Sequence, residues 1–218
     1  MISYRCIHLH RSFRRFMTAW CTIRTFSEHA IELGNEPSIE PIFFIKPSNC
    51  VHIESDIPIS SLESEIHYET ECVLRLGGDG KPTHLMVGLD LTDRQRQTEL
   101  KNNQLPWARA KCFRASAILG NPSPLEVSVD ELSHPDYGFG IRLQINAKVV
   151  QHALLSQMSI TPRQQLDALM RWAPIEEGDY LFTGTPKGVG RLNVGDHILA
   201  EVFRGDGVIV SRFEGRCV

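Results

Sequence analysis

The chain has 218 residues, 42% of them hydrophobic and 22% charged, enough for one full hydrophobic core and unlike disordered, collagen-like or membrane-spanning compositions. Twenty-three Lys and Arg against 26 Asp and Glu leave a formal charge of −3, so a general polyanion binder is disfavoured and no nucleic acid partner is expected. No window approaches the run of about 20 apolar residues that crosses a bilayer, and the six cysteines, at 6, 21, 50, 72, 112 and 217, form neither a zinc-type pair nor a compact disulfide framework.

Widely spaced, reduced thiols fit a cytoplasmic location. Residues 1–20 read as a basic N-terminal arm and 21–218 as the folded domain, because Arg5, Arg11, Arg14, Arg15 and Arg24 all precede the first acid, Glu28. The alternative for such an Arg-rich, acid-free start is an organelle transit peptide, hence a mitochondrial location. Ser27 is placed to cap a short helix over Glu28–Leu33, stopped by Gly34 and Asn35. On that helix His29 and Glu32 share a face. Pro41–Lys46 (PIFFIK) reads as a buried strand.

From Glu65 to Leu76 the chain alternates with period two, which predicts one long, half-buried strand with His67, Glu69, Glu71 and Arg75 on its polar face. Gly77, Gly78 and Gly80 supply a turn into a second strand, His84–Leu91. Thr92 or Asp93 then caps a polar helix over Arg94–Leu100. An irregular stretch runs through Pro106 and Trp107 to Lys111. A hairpin follows over Ile141–Val150, turning near Asn146, and Thr161-Pro162 opens a helix. The last third is β: Tyr180–Thr183, Ile198–Phe203 and Val208–Phe213, separated by Gly-Asp turns at 178, 195 and 205. Strands outnumber helices without alternating with them, so the expected class is α+β, mainly β, built on a roll or sandwich rather than a doubly wound sheet.

Glu69 and Glu71 lie two apart on the predicted strand, so their carboxylates point the same way about 6.6 Å apart along the backbone. Asp90, on the next strand, is a candidate third ligand. An all-carboxylate set selects a hard, octahedral ion, Mg²⁺ or Mn²⁺. On spacing alone the pair reads more readily as a solvated acidic strand face. The glycine-rich DYLFTGTPKGVG (179–190) lacks the G-K-[ST] ending of a phosphate-binding loop, and Pro186 removes an amide. Its remaining amides, with the Thr183 and Thr185 hydroxyls, suit a small carboxylate.

Six segments in order, SEHAIELGN (27–35), FFIKP (43–47), HYETE (67–71), GLDLTDRQRQ (88–97), LPWARAKCF (105–113) and GDYLFTGTPKGVG (178–190), closely resemble the fumarylacetoacetate hydrolase family, in its shorter, single-domain acylpyruvate and fumarylpyruvate hydrolase branch. The resemblance implies a mixed β-sandwich roll, a homodimer, a divalent metal, usually Mg²⁺, and a small 2-oxo acid substrate. Carried over position by position, it makes Glu69, Glu71 and Asp90 the metal ligands and Lys111 the active-site lysine. His29 and Glu32 become the water-activating pair on a lid helix. Thr185 becomes a substrate contact, and Arg94 and Gln97 border the substrate.

The activity implied is Mg²⁺-dependent hydrolysis of the carbon-carbon bond of a 3-acylpyruvate or fumarylpyruvate, releasing pyruvate. Oxaloacetate decarboxylation, isomerisation of a 2-hydroxy-dienoate, or a degraded scaffold are the alternatives. Three departures from the family pattern stand out. Ile23-Arg24-Thr25-Phe26 replaces the customary glycine and R-N-Y before the lid. Asp90 follows Glu71 by only 19 positions, a shortening expected to disturb its approach to the metal. Asn146-Ala147 replaces Asn-Gly, predicting a strained hairpin turn.

Overall fold

The computed structural model describes residues 17–32, 34, 36, 38–60 and 64–218. The basic arm up to residue 16, and Leu33 and Asn35 at the predicted helix end, lie outside the described residues. In chain order the elements are β1 (Ala19–Ile23), α1 (Ser27–Glu32), β2 (Ile42–Lys46), β3 (Val51–His52), β4 (Asp56–Ile57), β5 (Ile66–Tyr68), β6 (Thr70–Leu76), β7 (Pro82–Asp90) and β8 (Thr92–Asp93). Then follow α2 (Arg94–Asn102), α3 (Ala108–Lys111), β9 (Ala117–Leu119), β10 (Ser123–Pro124), α4 (Val129–Leu132), β11 (Gly140–Ile145), β12 (Lys148–Leu154) and α5 (Pro162–Leu169). Strands β13 (Tyr180–Phe182), β14 (Gly190–Arg191), β15 (His197–Phe203) and β16 (Ile209–Cys217) complete the chain.

An eight-stranded mixed sheet runs in the order β2-β1-β13-β6-β7-β9-β3, with β10 paired to β7. It faces a five-stranded sheet ordered β12-β11-β15-β16-β4, and a small sheet joins β14, β5 and β8. The main core lies between the large sheets, where Leu74, Leu85 and Val87 meet Ile141, Leu143, Ile198 and Val202. A second buried cluster, with Ala19, Cys21, Val73, Met86 and Phe182, packs the opposite face of the first sheet. The mainly β, α+β class is as expected. Central strands covered on both faces carry apolar residues at nearly every position, and six of the seven residues of β6 are buried.

Five local expectations are corrected. Pro41–Lys46, expected to be a buried strand, is β2 at the edge of the first sheet, with Ile42 and Ile45 41% and 50% exposed and only Lys46 buried. The stretch 65–76 is two strands: β5 pairs with β14 and β8, β6 pairs with β13 and β7, and Glu69 lies between them. The centre of its polar face is closed off from solvent, for Glu69 and Glu71 are 6% and 2% exposed, while His67 and Arg75 on either side remain half-buried. The stretch leading to Lys111 is partly helical, as α3. Ala19 and Trp20, inside the segment read as an arm, begin β1 and are buried. Of the two candidate caps for α2, Asp93 is the one whose side chain accepts from Arg96 N.

Candidate metal and active site

Splitting the acidic strand at Glu69 builds the centre of the site. The β6–β7 hairpin sets Glu71 opposite Gly88, and two positions further Asp90 N donates to Glu69 O at 2.9 Å. Backbone pairing therefore brings the third carboxylate to the first two, and one oxygen from each of Glu69, Glu71 and Asp90 lies within 4.8 Å of the others. The short Glu71–Asp90 interval does not disturb this approach. It is taken up by the tight turn in which Gly77 N donates to Lys81 O.

Three buried anions this close require counter-charge. Lys111 Nζ, at the end of α3, donates to Glu69 Oε2 (2.7 Å), Asp90 Oδ2 (2.6 Å) and Thr92 Oγ1 (2.6 Å). Lys46, at the end of β2, is fully buried, lies 2.5 Å from Asp90 Oδ1, and donates to the carbonyls of Leu91 and Ser116. Arg94, the first residue of α2, donates to Glu69 Oε1 (2.6 Å) and to Gln97 Oε1 (2.7 Å). Burial raises the Glu69 pKa, but Lys111 and Arg94 outweigh it and hold the carboxyl below the usual range. For Glu71, burial, then Asp90 and Glu69, push the pKa well up, and the hydrogen bond from Gly184 N and the charge of Lys111 only partly offset this. Burial opposes the charge on Lys111, yet Asp90 and Glu69 raise its pKa above the ordinary value.

The loop after β13 closes one side. Gly184 has φ +93°, and a Cβ there would stand 2.1 Å from Thr25 Oγ1, so the loop approaches the pre-lid segment as only glycine permits. Thr25 Oγ1 donates to Thr183 O at 2.8 Å, so the altered segment before the lid is anchored to the loop. On α1, His29 Nδ1 lies 2.9 Å from Glu32 Oε2, while Gly188 N donates to Glu32 Oε1 at 3.0 Å. Thr185 Oγ1 accepts from Gln151 Nε2 at 2.9 Å. A small cavity of about 50 Å³ is bordered by His29, Glu69, Glu71, Asp90, Lys111 and Thr185, with Arg94 and Gln97 also on its wall. Of the nine residues given roles by the resemblance, eight line one cavity and Glu32 reaches it through His29, whereas Thr183, whose hydroxyl was also expected to suit a small carboxylate, is fully buried and donates to Cys72 O at 2.8 Å.

Two buried residues were not singled out. Lys46 was visible as a lysine closing an otherwise apolar strand, the position where a buried charge needs a partner. Gln151, on β12, accepts from Thr70 N between the two glutamates and donates to Thr185 Oγ1 and Pro186 O. It comes from the other large sheet, and no local pattern marks it.

Hard oxygen donors, buried and convergent, are the donor set that Mg²⁺ or Mn²⁺ takes, so these residues fit a divalent cation. The C-terminal domain model of the fumarylacetoacetate (FAA) hydrolase family matches residues 18–214, and the chain belongs to that family. It is 30% identical to the mitochondrial oxaloacetate tautomerase FAHD1 of Rattus norvegicus over 206 residues, 89% of each chain. It is 28% identical to the mitochondrial oxaloacetate decarboxylase of Dictyostelium discoideum, over 80% of this chain and 84% of that one. The crystal structure of fumarylpyruvate hydrolase from Pseudomonas aeruginosa, in complex with Mn²⁺ and pyruvate, superposes with a TM-score of 0.78 at 29% identity, covering 96% of this chain and 93% of that one.

Proposed function

We propose that the protein is a divalent-cation-dependent hydrolase that splits the carbon-carbon bond of a 3-acylpyruvate or fumarylpyruvate-type 2,4-dioxo acid, consuming water and releasing pyruvate and a carboxylic acid. The observation that carries this reading is His29, held by Glu32, on the wall of the cavity that holds the acidic triad. Glu69, Glu71 and Asp90 would hold the cation. When bound, Mg²⁺ supplies a template for a 2-oxo carboxylate and Lewis-acid stabilisation of developing negative charge.

The protein's own groups do the rest. Glu32, fixed by Gly188 N, accepts from His29 Nδ1, which leaves Nε2 to take a proton from the attacking water. The buried ammonium of Lys111 stabilises charge developing on the substrate oxygen. Gln151 occupies an acceptor site of Thr185, so the threonine hydroxyl is free to donate to the substrate carboxylate. Arg94 and Gln97 border the substrate on the other side. Assembly as a homodimer and a cytoplasmic location belong to the same proposal.

A second reading, tautomerisation or decarboxylation of oxaloacetate, is favoured by the rat and Dictyostelium relatives. Both reactions need the same enol-stabilising centre and neither needs an activated water. Pyruvate release from acetylpyruvate, fumarylpyruvate and oxaloacetate, together with the enol absorbance of oxaloacetate because tautomerisation releases no pyruvate, each followed with Mg²⁺ and with EDTA, tests the proposal. Cleavage of the first two that is lost in His29→Ala supports hydrolysis, whereas turnover of oxaloacetate alone supports the second reading.

A further inference from the structure

We propose that Arg24 and Lys101 form a second anion subsite at the mouth of the cavity, which takes the distal carboxylate of a long 2,4-dioxo dicarboxylic acid. This rests on the hydrolase reading and narrows its substrate class. The lining of the cavity is graded by depth. Glu69, Glu71, Asp90, Lys111 and Thr185 are buried and form its floor, whereas Arg24 is half-buried and Lys101 exposed. Helix α2 connects the two levels, for Arg94, Gln97 and Lys101 all line the cavity, and spacings of three and four put them on one stripe. At the lower end Arg94 is committed to Glu69 and Gln97. Lys101 stands seven residues on, about 10 Å along the helix axis. Its Nζ lies 5.8 Å from the centroid of the Trp107 ring, another part of the wall.

Arg24 reaches the same wall from a different element, directly after β1. Its φ of 59° is costly for any residue but glycine, and the next residue, Thr25, is tied to Thr183 O. Strain of this kind persists where the surroundings fix a side chain for use. Burial, then the like charges of Arg24 and Arg94, lower the Lys101 pKa. Positive charge is thus concentrated at the mouth, and a bound anion relieves it. Arg and Lys both take carboxylates through charge-assisted hydrogen bonds.

Length selects the anion. A cavity of about 50 Å³ encloses only the 2-oxo acid end of a substrate over the acidic centre, and the remainder extends to the mouth. In oxaloacetate three bonds of about 1.5 Å separate the two carboxyl carbons, too few to span both levels. In a seven-carbon dioxo diacid such as fumarylpyruvate six bonds give about 7–8 Å when extended, and the flexible lysine stem covers the rest. The methyl end of acetylpyruvate offers nothing to either cation. The subsite therefore ranks long dicarboxylic substrates above both.

The test compares 2-oxoheptanedioate with 2-oxoheptanoate, which differ only in the distal carboxylate and lack the 4-oxo group that cleavage needs. Binding of each, and of oxalate, to the full chain is measured by calorimetry with Mg²⁺. The diacid should bind at least about tenfold more tightly than the monoacid, the scale of one charge-assisted hydrogen bond. Lys101→Met and Arg24→Gln should each lower that ratio and together bring it to about one, while Lys101→Arg keeps it. Oxalate, which reaches only the floor, should keep its affinity within about twofold in all of these variants. If oxalate binds the wild type but the ratio is near one, or the double variant keeps the wild-type ratio, the subsite is overturned and the hydrolase reading stands. Loss of oxalate binding in the double variant also overturns it, since the two residues would then shape the floor. Failure of oxalate to bind the wild type removes the subsite together with the reading it rests on.

Discussion

At the scale of single residues, holding the cation and activating water fall to different side chains, and two substitutions separate them. Glu71 is one of the three convergent oxygen donors, and its Oε2 accepts from Gly184 N. Glu71→Gln should abolish Mg²⁺ binding by calorimetry, and with it the binding of oxalate. His29 reaches the cavity from a different element, so His29→Ala should leave oxalate affinity nearly intact. Its kcat for acylpyruvate hydrolysis should nevertheless fall by about 10² to 10⁴, the size of a general-base contribution. Glu32→Gln should fall between, since it alters only the orientation and basicity of the imidazole. Loss of oxalate binding in His29→Ala would place the histidine in substrate binding instead. Lys46 makes a third case, being wholly buried and ion-paired to Asp90. Lys46→Met leaves Asp90 with less counter-charge, and urea unfolding should show a loss of about 3 kcal/mol, the range for breaking one side of a buried pair.

At the scale of elements, the β11–β12 hairpin carries a visible compromise. Asn146 and Ala147 both have positive φ, 51° and 64°, the backbone of a two-residue turn that prefers Asn-Gly. Asn146 is repaid by its side chain, which donates to Asp196 Oδ1 and accepts from His197 N. Ala147 has no such compensation, so Ala147→Gly should raise stability by about 0.5–1 kcal/mol in urea unfolding. A neutral or destabilising result would mean that the flexibility gained by the unfolded chain outweighs the relieved strain. The strained turn was legible in the sequence because turn chemistry is local. The break at Glu69 was not: alternation continues unbroken through the stretch 65–76, and what divides it is pairing with β8 and β14, up to more than 120 positions away. Solvation was misread for the same reason. Period two reports which side chains share a face, and only the partners of that face decide whether it meets water.

For the whole molecule, the site is the meeting place of segments that are strangers in sequence: α1, the ends of β2, β7 and α3, the β5–β6 junction and the loop after β13. Their functional residue types were legible because each sits in a short, order-preserving motif. Gln151, and the role of Lys46 as counter-charge to Asp90, were not, because both depend on how distant strands stack. Such convergence ties cation binding to folding. The unfolded chain scatters Glu69, Glu71 and Asp90 among competing waters, so a cation that binds all three binds the native state almost exclusively and stabilises it by mass action. At a free Mg²⁺ or Mn²⁺ concentration about 100 times the dissociation constant the gain is about 2.7 kcal/mol. For a chain of this length that raises the unfolding midpoint by about 5–10 °C. The shift should grow with the logarithm of cation concentration, reverse with EDTA and vanish in Glu71→Gln. Ca²⁺ should give a smaller shift if the site is narrow and octahedral, since the larger ion takes more oxygen ligands at longer distances. An equal shift in Glu71→Gln would mean that the stabilising cation binds elsewhere, and the acidic triad would then be a charge cluster neutralised by Lys46, Lys111 and Arg94 alone.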